Sequence, residues 1–85
     1  MKKLVIEVSI RETQKGVEAI NDYGWLRNQL NATSSNTWES EKEFDEWNED
    51  DRVELEQLQQ TIGEQMEMFG IEEFEIMVID TKEDW

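Results

Sequence analysis

Both ends of this chain alternate apolar and polar side chains with the period of a β-strand, and that constrains what the middle must do. At 3–11, Leu4, Ile6, Val8 and Ile10 fall on one side. Lys3, Glu7, Ser9 and Arg11 fall on the other, with Val5 the exception. At 72–80, Phe74, Ile76 and Val78 share one face, and Met77 and Ile79 share the other with Glu73 and Glu75. Two strands alone are marginal in water. Either helices from the intervening segment cover their apolar face, or further strands join. The extra strand would come from near 17–21 or from the sheet of a second copy in a homodimer.

The middle reads mostly as helix. Ala19, Tyr23, Leu26 and Leu30 recur at helical spacing, with Val17 and Ile20 beside them, which predicts an amphipathic helix over 17–31, starting no later than Asp22. Gly24 weakens it by about 1 kcal/mol against alanine. A competing reading places a hairpin turn at Gln14-Lys15-Gly16 and makes Val17–Ile20 a strand. Residues 31–37 are small and polar and predict a loop, the loosest part of the chain together with 38–40. Ser40 and Glu43 match a capping box, which predicts a short helix over about 40–48 with Phe44 and Trp47 on one face. Leu55, Leu58, Ile62, Met66 and Phe69 form the best helical stripe, over about 51–69, and Gly70 sits where a left-handed cap belongs. Lys82–Trp85 is a tail, with Trp85 expected to pack on its own domain.

These elements predict one α+β domain, 1–85: a small sheet from the N- and C-terminal strands, covered on one face by two or three helices. The expected core is Leu4, Ile6, Val8, Ile10, Leu26, Leu30, Leu55, Leu58, Ile62, Met66, Phe69, Phe74, Ile76 and Val78.

Composition narrows the function. There is no cysteine for a disulfide or thiolate site, and no histidine to serve as general base or zinc ligand. With 22 acids against 8 bases, the net charge of −14 argues against direct binding to nucleic acid or to an anionic membrane. No basic segment leads into a long apolar run, so the expectation is neither signal peptide nor membrane span, and a cytoplasmic protein (host cytoplasm if phage-encoded). Asp45–Asp51 offers oxygen ligands but lacks the glycine and final glutamate of a calcium loop. No phosphate loop, dinucleotide fingerprint or nucleophile–base pair is present. The expectation is no enzyme, no cofactor and no metal.

The acids are not spread evenly. Residues 1–37 hold five bases and four acids. Residues 38–56 hold ten acids and two bases, and residues 64–85 hold eight acids and one base. Solubility alone would be served by scattered charge. The sharper reading is phosphate mimicry. DNA carries one charge per about 3.4 Å along each strand. Carboxylates four apart on a helix rise about 6 Å, as Glu39 and Glu43 would, with Glu46 one residue short of the next such step at Trp47, and strand residues two apart are spaced by about 6.7 Å, as Glu73 and Glu75 would be. Aromatics interleave with these acids. The candidate partner-binding set is Trp38, Glu39, Glu41, Glu43, Phe44, Asp45, Glu46, Trp47, Glu49, Asp50, Asp51 and Glu54. The bland alternative buries Phe44 and Trp47 as a staple between helices, and Trp38 in the core.

The run Gly70-Ile-Glu-Glu-Phe-Glu-Ile-Met-Val-Ile-Asp80 resembles the Glu-Glu-aromatic-x-Ile…Asp run of antirestriction proteins of the ArdA type. Where that family continues with Asp-Tyr-Glu, this chain reads Thr81-Lys82-Glu83. In size and charge the chain also resembles small phage and mobile-element inhibitors, including anti-CRISPR proteins. The resemblance implies an acidic DNA mimic that occupies the basic nucleic-acid-binding surface of a bacterial defence nuclease. The other expectation is a structural or regulatory protein–protein interaction module whose acidity serves solubility.

Overall fold

In the computed structural model, which describes residues 1–81, the first strand, β1 (Lys2–Val8), lies inside a four-stranded antiparallel sheet. Its Leu4, Ile6 and Val8 have no solvent exposure, because the alternation that marks them in the sequence turns all three toward the helices. The chain continues through a 3₁₀ turn (Ile10–Glu12), α1 (Thr13–Asp22), α2 (Gly24–Gln29), β2 (Leu30–Ala32), β3 (Thr37–Ser40), α3 (Glu49–Met68) and β4 (Phe74–Asp80). The strand order is β2-β3-β1-β4. Residues 82–85, including Trp85, lie outside the described residues.

The expected α+β architecture holds: the terminal strands pair, antiparallel, from Lys2↔Asp80 to Val8↔Phe74. Helices cover the sheet. The extra strands come from 30–32 and 37–40, not from 17–21. The loop expected over 31–37 shrinks to the link between those strands. The hairpin at Gln14-Lys15-Gly16 does not form, because the chain is already helical at Thr13. Ser9 caps the preceding turn by accepting from the Arg11 amide. That turn also removes Ile10 from the core. It lies beyond the end of β1 and is 80% exposed.

The single helix expected over 17–31 is two. Tyr23 adopts an extended conformation between α1 and α2 (φ −104°, ψ 102°). Gly16 lets α1 approach the sheet closely: a Cβ there would stand 3.1 Å from Val8 Cγ2 and 3.3 Å from Trp38. The buried Gln65 then ties α3 to α1, its Nε2 donating to the Ala19 carbonyl at 3.0 Å.

α3 starts at Glu49, two residues before the expected 51, because the Asn48 side chain accepts from the Asp50 amide and caps it. Its end is as expected. Gly70 has φ 72°, the Gly70 amide donates to the Glu67 carbonyl at 3.0 Å, and the Ile71 amide donates to Met66 at 2.9 Å. This double closure satisfies two orphan carbonyls and buries Ile71. Ala19, Ile20, Trp38, Phe44 and Ile71 join the expected core, whereas Val78 is 42% exposed because β4 is an edge strand.

Candidate functional site

The acid-rich segment 38–54 is not helical before Glu49. Its first residues belong to the sheet. Trp38 pairs with Ile6, points to the helices and is buried. Ser40 is buried too. Its hydroxyl accepts from the Leu4 amide at 3.0 Å and donates to the Lys42 carbonyl at 2.9 Å. A serine committed in this way cannot cap a helix with Glu43, so the helix expected over 40–48 does not form. The chain instead returns to β1 at Phe44, with amide–carbonyl bonds to Lys2 in both directions at 2.7 and 2.8 Å. The Phe44 ring is buried, so both Trp38 and Phe44 leave the list of contact residues.

Beyond Phe44 the chain turns outward under three further restraints. Lys42 Nζ bonds Glu54 at 2.7 Å and Asp51 at 3.1 Å, and lies 5.3 Å from the Phe44 ring centroid. The other Asp51 oxygen accepts from the Asp45 amide at 2.9 Å. The Asp45 side chain accepts from the Trp47 amide at 3.0 Å, and the Asp45 carbonyl accepts from the Asn48 amide at 2.9 Å. The hydrogen bonds that Lys42 donates to Glu54 and then to Asp51 hold its ammonium above the ordinary range. The Asp45 amide, and after it Lys42, holds the Asp51 carboxyl below its ordinary range.

What this turn presents is Trp47, 89% exposed. Glu46, Glu49 and Asp50 are exposed beside it in the chain. Glu46 lies 3.7 Å from Lys2. The other expected acids are dispersed. Glu39 faces the uncovered side of the sheet and pairs with Lys3 at 3.2 Å. Glu41 is exposed at the end of β3, and Glu43 accepts from the Thr81 hydroxyl. Asp51 and Glu54 are engaged by Lys42. Asp45 is partly buried and serves the turn. The helical spacing expected of Glu39, Glu43 and Glu46 is therefore absent. Only Glu75 of the pair 73/75 lies within β4.

A different acidic line exists on α3. By helix geometry, Glu49, Glu56 and Glu67 lie along the side opposite Leu58 and Gln65, separated by two and three turns, or about 10 and 16 Å. All three are exposed, as is Glu64 nearby. That line is sparser than the phosphates of DNA. Lys42 and Asn48, which set the turn, escaped the sequence reading. Their partners are nine and twelve residues away in one case and a single backbone amide in the other, and neither produces a periodic signal.

Among the described residues no group of three or more His, Cys, Asp or Glu side chains is arranged to hold a metal ion. No helix among them is long and apolar enough to cross a membrane. Comparison with protein-family models, with curated proteins and with solved structures gives no match for this chain.

Proposed function

We propose that this chain is a non-catalytic protein-binding module that docks through Trp47 and its neighbouring carboxylates onto a basic surface of another protein. That surface is of the kind that binds nucleic acid, so docking inhibits the partner. The observation that carries this reading is a tryptophan left 89% exposed on a turn fixed by Phe44, Lys42 and Asp51. Burying a tryptophan removes about 150–250 Å² from water, worth roughly 4–6 kcal/mol before the costs of association. The pinned turn lowers those costs, because little backbone freedom remains to be lost. Glu46, Glu49 and Asp50 supply steering toward lysines and arginines, and the α3 line of Glu49, Glu56 and Glu67 extends the negative surface.

Bacterial defence nucleases and CRISPR effectors present such basic surfaces. The antirestriction or anti-CRISPR role implied by the resemblance, with the cell cytoplasm as its place of action, is the specific form of the proposal. The second reading is a structural or regulatory interaction module whose acidity serves solubility. The open β4 edge favours it.

The test is affinity capture from bacterial lysate with the wild-type chain, Trp47→Ala, and the triple variant Glu46→Gln, Glu49→Gln, Asp50→Asn. The expected result is capture of a nucleic-acid-binding protein that is released by salt and by competing duplex DNA, lost with Trp47→Ala and weakened in the triple variant. Full capture by both variants would overturn the proposal. Release by neither salt nor DNA would favour the second reading.

A further inference from the structure

β4 is seven residues long and lies at the edge of the sheet. Its register with β1 runs without a bulge from Phe74 to Asp80, and the chain has no proline to blunt that edge. Which backbone groups face outward can be read from its ends. The Ser9 amide donates to the Glu73 carbonyl and the Thr81 amide donates to the Met1 carbonyl, both at 2.9 Å. Odd-numbered residues of β4 therefore turn their amides and carbonyls toward β1. The even-numbered Phe74, Ile76 and Val78 turn theirs away from it, and no strand among the described residues pairs with them. Apolar side chains stand on both faces of β4, beside the charged Glu75 and Asp80. Val78, toward the helices, and Ile79, on the uncovered face, are each 42% exposed, and Ile76 and Met77 are partly buried.

We infer that β4 pairs antiparallel with β4 of a second copy, about a two-fold axis at Met77, to make a continuous eight-stranded sheet. An outward-facing residue must meet an outward-facing residue, so only registers joining even to even numbers are allowed. Among these, centring on Met77 alone engages all seven residues of each strand. Ile76 then faces Val78 of the other copy on the helix side. Met77 faces Met77, and Glu75 faces Ile79, on the uncovered side. No acid stands opposite an acid. Sliding the pairing to centre on Glu75 sets Glu75 against itself, and centring on Ile76 sets Glu72 against Asp80. The pattern that excludes these slips is self-complementary, which an isologous contact requires. The axis is perpendicular to the sheet and keeps both helix layers on one side.

Seven residues a side is fewer than the roughly 20–30 of a standard interface, and two chains of −14 repel. The dimer is therefore weak at low salt and strengthened by salt, the reverse of docking on a basic partner. Sedimentation equilibrium over a wide concentration range, at low and high sodium chloride, reads this without any partner. The expected result is a mass that rises toward twice the monomer and does so at lower concentration in high salt. Val78→Pro removes an amide that the monomer's sheet does not use, so it should keep the native circular dichroism and stay monomeric. Met77→Lys lowers the net negative charge, which by bulk repulsion alone would favour pairing. In this register it sets lysine against lysine, and the expected result is a monomer. A wild-type chain that stays monomeric under all conditions would overturn the proposal. So would a folded Met77→Lys protein that dimerises like wild type, which also covers the case in which the proline variant fails to fold.

Discussion

Two glycines inside helices invite the same substitution and should respond with opposite signs. Gly63 lies in α3, with open space where a Cβ would stand. Alanine there should stabilise the chain by about 0.5–1 kcal/mol, the ordinary helix-propensity difference. Gly16 lies in α1 against Val8 and Trp38, both locked in the core, with approaches of 3.1 and 3.3 Å to an added Cβ. The same propensity gain is offset there by overpacking of typically 1–3 kcal/mol, because neither β1 nor the indole can retreat without disturbing the core. The expected outcome is a lower urea midpoint for Gly16→Ala and a higher one for Gly63→Ala, with unchanged slopes. Equal shifts would mean that α1 stands off the sheet farther than its close approach to Val8 implies.

At the scale of elements, the turn over 41–48 depends on a small set of charged hydrogen bonds whose response to pH can be worked out. Asp51 is held below its ordinary value of 3.8, so the stability it contributes is present above that value and lost as pH falls through its folded one. Lys42 is held above its ordinary 10.5, so its contribution is present below that value and lost as pH rises through its folded one. The turn is therefore fully fastened across the neutral range and loosens only at the two extremes. The Asp45 amide is the larger cause at Asp51. Lys42→Met should accordingly move the Asp51 carboxyl titration, followed by NMR, upward but leave its midpoint below 3.8. A midpoint at or above 3.8 would show that Lys42, not the backbone bond, holds the charge. The same contacts explain what the sequence could and could not show. β1, β4 and α3 were legible because each is long enough for a period of two or of three to four to repeat. The strands β2 and β3 were not. They have three and four residues, and β3 alternates Trp38 with the small Ser40, so no apolar stripe is visible. Trp47 was legible as a candidate contact but not as distinct from Phe44. On a helix they would share a face. The turn closed by Asp45 leaves one buried and the other in solvent.

The whole molecule carries its charge in a small volume. Its principal extents are 36 × 25 × 20 Å, and its net charge is −14. At an ionic strength of about 0.01 M the Debye length is about 30 Å, so nearly every carboxylate acts on every other; at about 1 M it is about 3 Å. Among the described residues the surface ion pairs Lys2–Glu46, Lys3–Glu39 and Lys42 with Asp51 and Glu54 engage three lysines and are individually weak. Repulsion should therefore dominate the salt response, and sodium chloride should raise the thermal midpoint. Each kcal/mol gained corresponds to about 4–8 °C for a domain of this size. Two carboxylates locate the effect. Glu56 and Glu67 are exposed on α3, and Glu67 stands in its last turn, which has no base to offset the negative end of the helix dipole. The double variant Glu56→Gln, Glu67→Gln should melt higher than wild type at low salt and gain less on salt addition, as scanning calorimetry would show. A midpoint that falls with salt would make the three lysines, rather than the excess acids, the controlling charges of the fold.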